Sequence, residues 1–216
     1  MAEYTFFFNP MSRAQIARWA LHEAGADYEP VLVEWGAKPP ALLAANPLGK
    51  LPTIIHHHRG HDHAVSEAAA VCHYLAEMTA PALLPRDEEK ADYFRMLFFA
   101  AGPLEAAVTA KSQGFDTGGD ARKEVMVGWG SFDRTYAMLS GWFADRDYVC
   151  GNRFTMADVY VGSQVDWGLG FKTIPPSDGL TAYAERLRAR AAYQTGKAID
   201  NALIAQMQPA PAGNAG

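Results

Sequence analysis

The chain has 216 residues, of which 49% are apolar, and its 19 basic and 24 acidic side chains give a net charge of −5. That length and apolar content suffice for a buried core in one large domain or two small ones. The acidic balance argues against nucleic acid or an anionic membrane surface as the main partner, and no apolar run reaches the roughly 18 residues of a membrane span.

The first half of the sequence predicts alternating strands and helices. The aromatic run Tyr4–Phe8 is typical of a buried strand. After a short break, Ser12 is placed to cap a helix over residues 13–24, which Gly25 ends. Further strands are predicted over 28–33, 53–57 and 61–65, and further helices over 41–45 and 66–78. The resulting order, β-α-β-α-β-β-α, predicts one α/β unit.

The second half follows a proline-bearing linker and predicts helices alone. They are expected over 88–111 with a bend at Gly102 and Pro103, over 121–143, from Thr155 onward, over 178–191 and over 196–207. Thr155 and Asp158 form a capping box, with Phe154 at the start of a hydrophobic staple. The tail over 208–216 is rich in Pro, Ala and Gly, and we expect it to be disordered.

One stretch combines turn chemistry with a strand that begins on proline. Asn46, Pro47 and Gly49 favour a turn. Because proline cannot donate to a strand ladder, Pro52 belongs at the first residue of a strand. A cis bond at this proline would turn the Leu51 backbone outward, where its N–H and C=O can pair with an extended peptide. The stretch therefore predicts peptide recognition by strand addition.

A second polar cluster, Ser66-Glu67-Ala68, directly precedes an apolar segment with helical periodicity. It therefore sits at a helix amino-terminus, where unpaired N–H groups and the positive end of the helix dipole favour a carboxylate ligand. The two stretches together predict a site for a peptide that carries a carboxylate.

These residues resemble the glutathione-binding half of the cytosolic glutathione S-transferases. The matching positions are Asn46, Pro47, Gly49, Lys50 and Pro52, followed by Glu67, Ala70, Tyr74 and Leu75. The box from Phe154 to Asp158 is also similar to the buried capping motif of that family. The resemblance is to bacterial, serine-type, theta-like members. It implies a thioredoxin-like α/β domain over 1–80 and an all-α helical bundle over 88–207.

The resemblance implies an enzyme that turns the glutathione thiol into a thiolate, with glutathione as co-substrate, for attack on a small hydrophobic electrophile. The activating donor should lie between the first strand and the first helix. Ser12 is the first candidate, since it resembles the residue of serine-type members, although a helix cap alone would also explain it. The side-chain N–H of Asn9 is the alternative donor, and Tyr4 is a third candidate that fits better as a packed residue of the sheet.

The resemblance also assigns the remaining contacts with glutathione. Leu51 pairs its backbone with the cysteinyl part, in a geometry that Pro52 sets. Glu67 takes the γ-glutamyl ammonium group. The N–H of Ala68 takes the γ-glutamyl carboxylate, although the family usually carries a Ser or Thr hydroxyl there. The glycyl carboxylate would face one of two lysines, Lys38 or Lys50, and the second is equally well explained as a solvated loop charge.

The electrophile site is expected between the two halves. Met11, Phe99, Pro103 and Trp167 are its predicted lining, although aromatic residues at helical spacing also occur in cores. By resemblance we expect a homodimer with a role in detoxification. Two other readings stay open: another glutathione-dependent enzyme on this fold (an isomerase, dehalogenase or ether-cleaving enzyme), or an interaction module without catalysis.

Five histidines crowd one predicted hairpin, at positions 56, 57, 58, 61 and 63. We expect an exposed polar hairpin and no metal, because a metal site needs a preorganised constellation with supporting residues. Cys72 and Cys150 lie far apart in apolar surroundings, which predicts free thiols. Together with an amino-terminus that lacks the basic segment of a signal peptide, they predict a cytoplasmic protein.

Overall fold

A computed structural model describes residues 2–115 and 117–207. The described chain divides into two compact units, one of residues 2–75 with 190–207 and the other of residues 76–189. The predicted tail at 208–216 lies outside the described residues. No helix in the described part is long and apolar enough to cross a membrane.

The first unit is built on a four-stranded mixed sheet. Its strands are β1 (Tyr4–Phe8), β2 (Tyr28–Leu32), β3 (Thr53–His58) and β4 (His61–Ser66). The order across the sheet is β2-β1-β3-β4, in which β2 runs parallel to β1 and the other neighbours are antiparallel. Arg59 and Gly60, both at positive φ, close the hairpin between β3 and β4, as a tight two-residue turn requires. This sheet confirms the predicted α/β half.

The described residues of this unit also form helices α1 (Ala14–Ala24), α2 (Pro40–Ala45) and α10 (Ala191–Met207), and most of α3 (Ala68–Met78), whose last three residues belong to the second unit. Helix α1 ends as predicted at Gly25, whose φ of 63° is the left-handed cap that glycine adopts without steric cost. The inner face of α1 is buried and includes Ile16 and Leu21. The α1 bounds differ from the prediction by one residue.

Helix α10 packs against α1. The two helices approach closely at Gly196, where an added Cβ would lie 3.6 Å from the Cα of Trp19. Beneath this contact Arg18 donates to Asp200 over 2.9 Å, and both side chains are 2% exposed. The last helix therefore belongs to the first compact unit, whereas the ranges inferred from the sequence counted it with the helical half.

The second unit consists of helices. They are α4 (Lys90–Phe99), α5 (Glu105–Ser112), α6 (Ala121–Met126), α7 (Phe132–Trp142), α8 (Met156–Gly170) and α9 (Asp178–Arg188). A π-helical segment, Ala100–Leu104, joins α4 to α5 and contains Pro103, which confirms the predicted interruption. The single helix predicted over 121–143 is wrong: the chain breaks between α6 and α7, where Gly130 takes a φ of 70°.

The predicted capping box at the start of α8 is present and buried. Asp158 accepts from the backbone N–H groups of Val149 and Thr155, from the Thr155 hydroxyl and from the Tyr183 hydroxyl, over 2.7 to 3.0 Å. Its complete burial raises the pKa of the carboxyl group to about 6, against the four donors, which lower it. One side chain thus ties the preceding loop, the α8 amino-terminus and α9 together.

Candidate functional site

The chain segments predicted to carry function meet at one edge of the sheet in the first unit. β1 ends at Phe8, and its last residue pairs with Leu32 at the end of β2. Next to β1, Thr53 begins β3 opposite Phe7 and also pairs with Ser66 at the end of β4. The turn after β1, the loop before β3 and the start of α3 therefore lie side by side.

Asn46 holds the loop before β3 in shape. Its side chain is 5% exposed and donates to the Lys50 carbonyl and the Thr53 hydroxyl, each over 3.2 Å. Its carbonyl oxygen accepts from the Leu48 N–H over 3.2 Å. The Thr53 hydroxyl in turn donates to the Lys50 carbonyl over 2.9 Å. Both ends of the loop are thereby fixed.

Lys38 lies over Gly49 in this loop. Gly49 has a φ of 59°, and an added Cβ would lie 2.8 Å from Lys38 Cδ and 2.9 Å from its Nζ. Glycine is favoured here by the backbone conformation, because a φ of 59° strains any residue that carries a Cβ, whereas the end of the flexible Lys38 side chain could move aside. Lys38 and Lys50 are both exposed, and the Lys38 ammonium group lies against the loop at Gly49.

Leu51 and Pro52 form a cis peptide bond, and Pro52 directly precedes β3, as the sequence pattern suggested. Leu51 is partly buried against the core that contains Phe7, Val33 and Leu42. Within residues 2–115 and 117–207, its backbone N–H and C=O make no hydrogen bond. They are therefore available to pair with another extended chain.

Glu67 has a backbone conformation that is unusual for a residue other than glycine. Its φ is 67°, in the left-handed region where a side chain other than glycine is strained, and the residue is exposed. Ala68 follows as the first residue of α3, and the first turn of that helix contains no acidic residue. The N–H of Val71 donates to the Glu67 carbonyl over 2.9 Å. An exposed carboxylate thus stands beside a helix amino-terminus.

The two candidate activating residues occupy one turn and are bonded to each other. Asn9 is fully buried: its side-chain N–H donates to the Val33 carbonyl over 3.0 Å, and its side-chain oxygen accepts from the Met11 N–H over 2.9 Å. The Ser12 hydroxyl donates to the Asn9 carbonyl over 2.7 Å and accepts from the Ala14 N–H over 3.1 Å. Asn9 shapes the turn, and Ser12 is the more accessible donor.

Tyr4, the third candidate, lies at the other end of β1. It is fully buried and stacks on His56 with 4.4 Å between ring centroids. It pairs with Tyr28 and His56 at the start of β1, whereas Asn9 follows the last residue of that strand. Tyr4 is a core residue of the sheet, as its sequence context favoured.

The residues predicted to line an electrophile site belong to different units. Met11 is 52% exposed on the turn after β1 in the first unit. In the second unit, Phe99 ends α4, Pro103 lies in the π-helical segment, and Trp167 is on α8; all three are partly exposed. Their common role stays a prediction.

Two contacts of this edge were missed by sequence reasoning. Thr53 follows the proline directly, is fully buried and donates its hydroxyl hydrogen to the Lys50 carbonyl. The sequence signal for this contact was a β-branched residue with a hydroxyl group directly after Leu51-Pro52. Gln15, in the first turn of α1, donates to the Pro10 carbonyl and accepts from Lys197 over 2.8 Å. The second contact had no signal, because it depends on helix α10 packing on α1.

The histidine-rich hairpin places four of its histidines on one face. His56 pairs with His63 and His58 with His61, and alternate residues of a strand share a face. The fifth, His57, lies on the opposite face, where it bonds Thr5 and Asp62. Over the described ranges 2–115 and 117–207, no group of three or more His, Cys, Asp or Glu side chains is arranged to hold a metal ion.

Comparison with known proteins gives consistent matches. The N-terminal domain of glutathione S-transferases matches residues 10–78, and the C-terminal domain matches residues 104–191. Glutathione S-transferase 1 of Schizosaccharomyces pombe is 30% identical over 186 residues, which cover 77% of this chain and 75% of that protein.

Solved structures agree with these sequence matches. The theta class glutathione S-transferase of Xanthomonas axonopodis pv. citri, with glutathione bound, is 27% identical at a TM-score of 0.71, covering 91% of this chain and 97% of its own. A glutathione transferase of Methylococcus capsulatus, 22% identical at a TM-score of 0.72 over 92% of this chain and 99% of its own, shares the fold. The chain therefore belongs to the glutathione S-transferase family of enzymes.

Proposed function

We propose that this enzyme binds glutathione at the sheet edge described above and converts its thiol to a thiolate that attacks a hydrophobic electrophile. One observation carries the proposal: the unpaired Leu51 backbone lies beside the strained, exposed Glu67. A non-glycine residue held at positive φ costs about 1–3 kcal/mol, and such residues cluster at ligand-binding and active sites. The glutathione bound to the Xanthomonas relative supports the same ligand.

The edge offers one group for each part of the tripeptide. The Leu51 N–H and C=O pair with the cysteinyl backbone, and Glu67 accepts from the γ-glutamyl ammonium group. The Ala68 N–H, at the start of α3, binds the γ-glutamyl carboxylate without help from a hydroxyl group. For the glycyl carboxylate we favour Lys38 over Lys50, because Lys38 lies on Gly49 beside the loop.

Ser12 supplies the hydrogen bond that stabilises the thiolate. Its hydroxyl group donates to the neutral Asn9 carbonyl in the absence of ligand. A bond to an anion is about twice as strong as a neutral bond, so a thiolate within reach draws the hydroxyl away from that carbonyl. The amino-terminus of α1 adds its positive dipole end. Asn9 remains the alternative donor, through its second side-chain N–H.

The electrophile would meet the thiolate near Met11, which is 52% exposed on the turn that carries Ser12. We also propose a cytoplasmic homodimer that acts in detoxification. Phe98 on α4 is 69% exposed and stacks on Phe94, and an exposed aromatic pair of this kind is typical of a protein–protein interface. Light scattering checks the dimer: a mass near that of one chain would contradict it.

The test is the ultraviolet absorbance of bound thiolate, recorded as glutathione is titrated into the wild type, Ser12→Ala and Asn9→Ala at several pH values. We expect thiolate near neutral pH in the wild type and its loss in Ser12→Ala, with turnover of an activated aryl chloride falling in parallel. A wild type that binds no glutathione would overturn the proposal and favour an interaction module.

A further inference from the structure

The peptide between Pro10 and Met11 is held on both sides. Its N–H, which belongs to Met11, donates to the Asn9 side chain over 2.9 Å, and its carbonyl oxygen accepts from the Gln15 side-chain N–H. This peptide precedes Ser12 directly in the turn that carries the proposed thiolate donor. Gln15 therefore supplies one of the two hydrogen bonds that hold this peptide.

Gln15 is itself fixed by the last helix. Lys197 donates its ammonium N–H to the Gln15 side-chain oxygen over 2.8 Å, and both side chains are partly buried. A cation on the amide oxygen fixes the side-chain orientation and polarises the amide, which strengthens its N–H as a donor. Two consecutive hydrogen bonds thus connect Lys197 through Gln15 to the Pro10 carbonyl, and we call this pair of bonds the relay.

The relay is separate from the contacts that attach α10 to α1. Arg18 and Asp200 form a buried ion pair, with 2.9 Å between Nε and Oδ1. Arg190 donates to both carboxylate oxygens of Glu23 over 2.6 and 2.8 Å. Those two contacts and the close approach at Gly196 also join the two helices. None of them reaches the Asn9–Ser12 turn.

We propose that Gln15 and Lys197 are positioning residues for the reaction: Lys197 orients the Gln15 amide, which holds the Pro10 carbonyl and thereby aims Ser12 at the glutathione sulfur. The inference rests on the proposed function. Glutathione itself is bound by the Leu51 and Glu67 segments, so loss of the relay should lower kcat and thiolate formation and leave the KM for glutathione nearly unchanged.

The decisive variant is Gln15→Glu. A glutamate still binds Lys197, now as an ion pair, and it suits the first turn of α1, so the tie between the helices is retained. It has no N–H to give to the Pro10 carbonyl. We expect kcat for an activated aryl chloride to fall between about threefold and about thirtyfold, the range expected for a slightly misplaced reacting group, with weaker thiolate absorbance at neutral pH.

Two further variants separate charge from position. Gln15→Met is neutral and also lacks the donor, so it should reproduce the loss in kcat if the added carboxylate charge is not its cause. Lys197→Met should lower kcat less than Gln15→Met, and Lys197→Arg should restore it, because the guanidinium group can still donate to the amide.

The matched control is Arg190→Met, which removes the contact between Glu23 and the residue directly before α10, at the opposite end of α1 from Gln15. It should lower the thermal midpoint while kcat and the thiolate spectrum stay at wild-type values. The inference is overturned if Gln15→Glu keeps wild-type kcat and absorbance, or if Arg190→Met lowers kcat equally. If the wild type binds and turns over glutathione, either of these results refutes the relay and leaves the proposed function standing. If the wild type does not bind glutathione, the proposed function itself is refuted.

Discussion

Thr53, the first residue of β3, pairs directly with Ser66, the last residue of β4. The pairing brings Pro52 and Glu67, the residues just outside each strand, next to each other at one corner of the sheet. Two sequence motifs that lie apart along the chain thus form a single surface, with an unpaired backbone on one side and a carboxylate on the other.

We predict that Glu67→Gln weakens glutathione binding about 10- to 100-fold, since a hydrogen bond to a charged group contributes about 1.5–3 kcal/mol. Isothermal titration calorimetry measures the change. Glu29→Gln, an exposed substitution on β2, is the control and should bind as the wild type does. Equal affinities of Glu67→Gln and wild type would remove Glu67 from the site.

Glu67→Gly separates the backbone of this residue from its side chain. Glycine adopts a φ of 67° without strain, so the variant should be more stable than the wild type by about 1 kcal/mol. It lacks the carboxylate and should bind glutathione as poorly as Glu67→Gln. Stability and affinity should therefore change in opposite directions; a variant that is both less stable and unaltered in binding contradicts the assignment.

Asn46→Ala should destabilise the protein by about 1–3 kcal/mol, because it removes a buried side chain that bonds the Lys50 carbonyl, the buried Thr53 hydroxyl and the Leu48 N–H. Urea unfolding measures the loss, and glutathione affinity should fall with it since the same loop carries Leu51. Asn152→Ala is the matched control: that asparagine is exposed, and its loss should change stability by less than about 0.5 kcal/mol.

Local chemistry explains which parts of the fold the sequence predicted. Gly25, the capping box of Thr155 and Asp158, and the turn at Arg59 each depend on residues a few positions apart, and each was located closely from the sequence. The break between α6 and α7 was missed because hydrophobic spacing continues through it, although Gly130 marks it.

Long-range packing explains what the sequence did not predict. The contact of Gln15 with Lys197 joins residues at opposite ends of the chain, and no periodicity or motif indicates it. The strain at Glu67 likewise arises from the junction of β4 and α3, since glutamate has no preference for positive φ. The predicted site residues of the sheet edge came together because β3 and β4 are neighbours in both sequence and space.

The Glu89–Arg153 pair makes the stability of the helical unit depend on pH. Hydrogen bonds from Arg153 lower the pKa of Glu89 from 4.5 to about 2, and the carboxyl group is 11% exposed. A folded-state pKa below the unfolded value gives a contribution that is complete above pH 4.5 and lost as the pH falls toward 2. The contribution is up to about 3 kcal/mol.

Glu89→Gln removes this titration. Unfolding free energies measured against pH should differ between wild type and Glu89→Gln near neutrality, and the difference should shrink as the pH falls below about 4.5. Asp87→Asn, which breaks an exposed pair with Lys90, should leave the pH dependence close to that of the wild type. A constant difference across the acid range would show that packing, and not charge, accounts for the effect.

The buried His56 should make the sheet sensitive to mild acid. Burial lowers its pKa below 6.5, as do His58 and His63, whereas the Glu3 carboxylate 3.3 Å away raises it; the ring also bonds the Tyr74 hydroxyl. As the pH falls, His56 takes up a proton in the unfolded chain before it does so in the folded protein. The stability is therefore unaffected by His56 above pH 6.5, and it falls as the pH drops from the unfolded-state pKa of 6.5 toward the lower folded-state pKa.

His56→Phe tests this by keeping an aromatic ring that can stack on Tyr4 while removing the titration. Between pH 7 and pH 5 the wild type should lose more stability than His56→Phe, even if the variant is less stable at pH 7 through the loss of the Tyr74 bond. His61→Phe, an exposed position on the same hairpin face, should keep the wild-type slope. Parallel curves of unfolding free energy against pH for wild type and His56→Phe would mean that His56 binds the same number of protons in the folded and unfolded states over this range. The acid sensitivity would then belong to other groups.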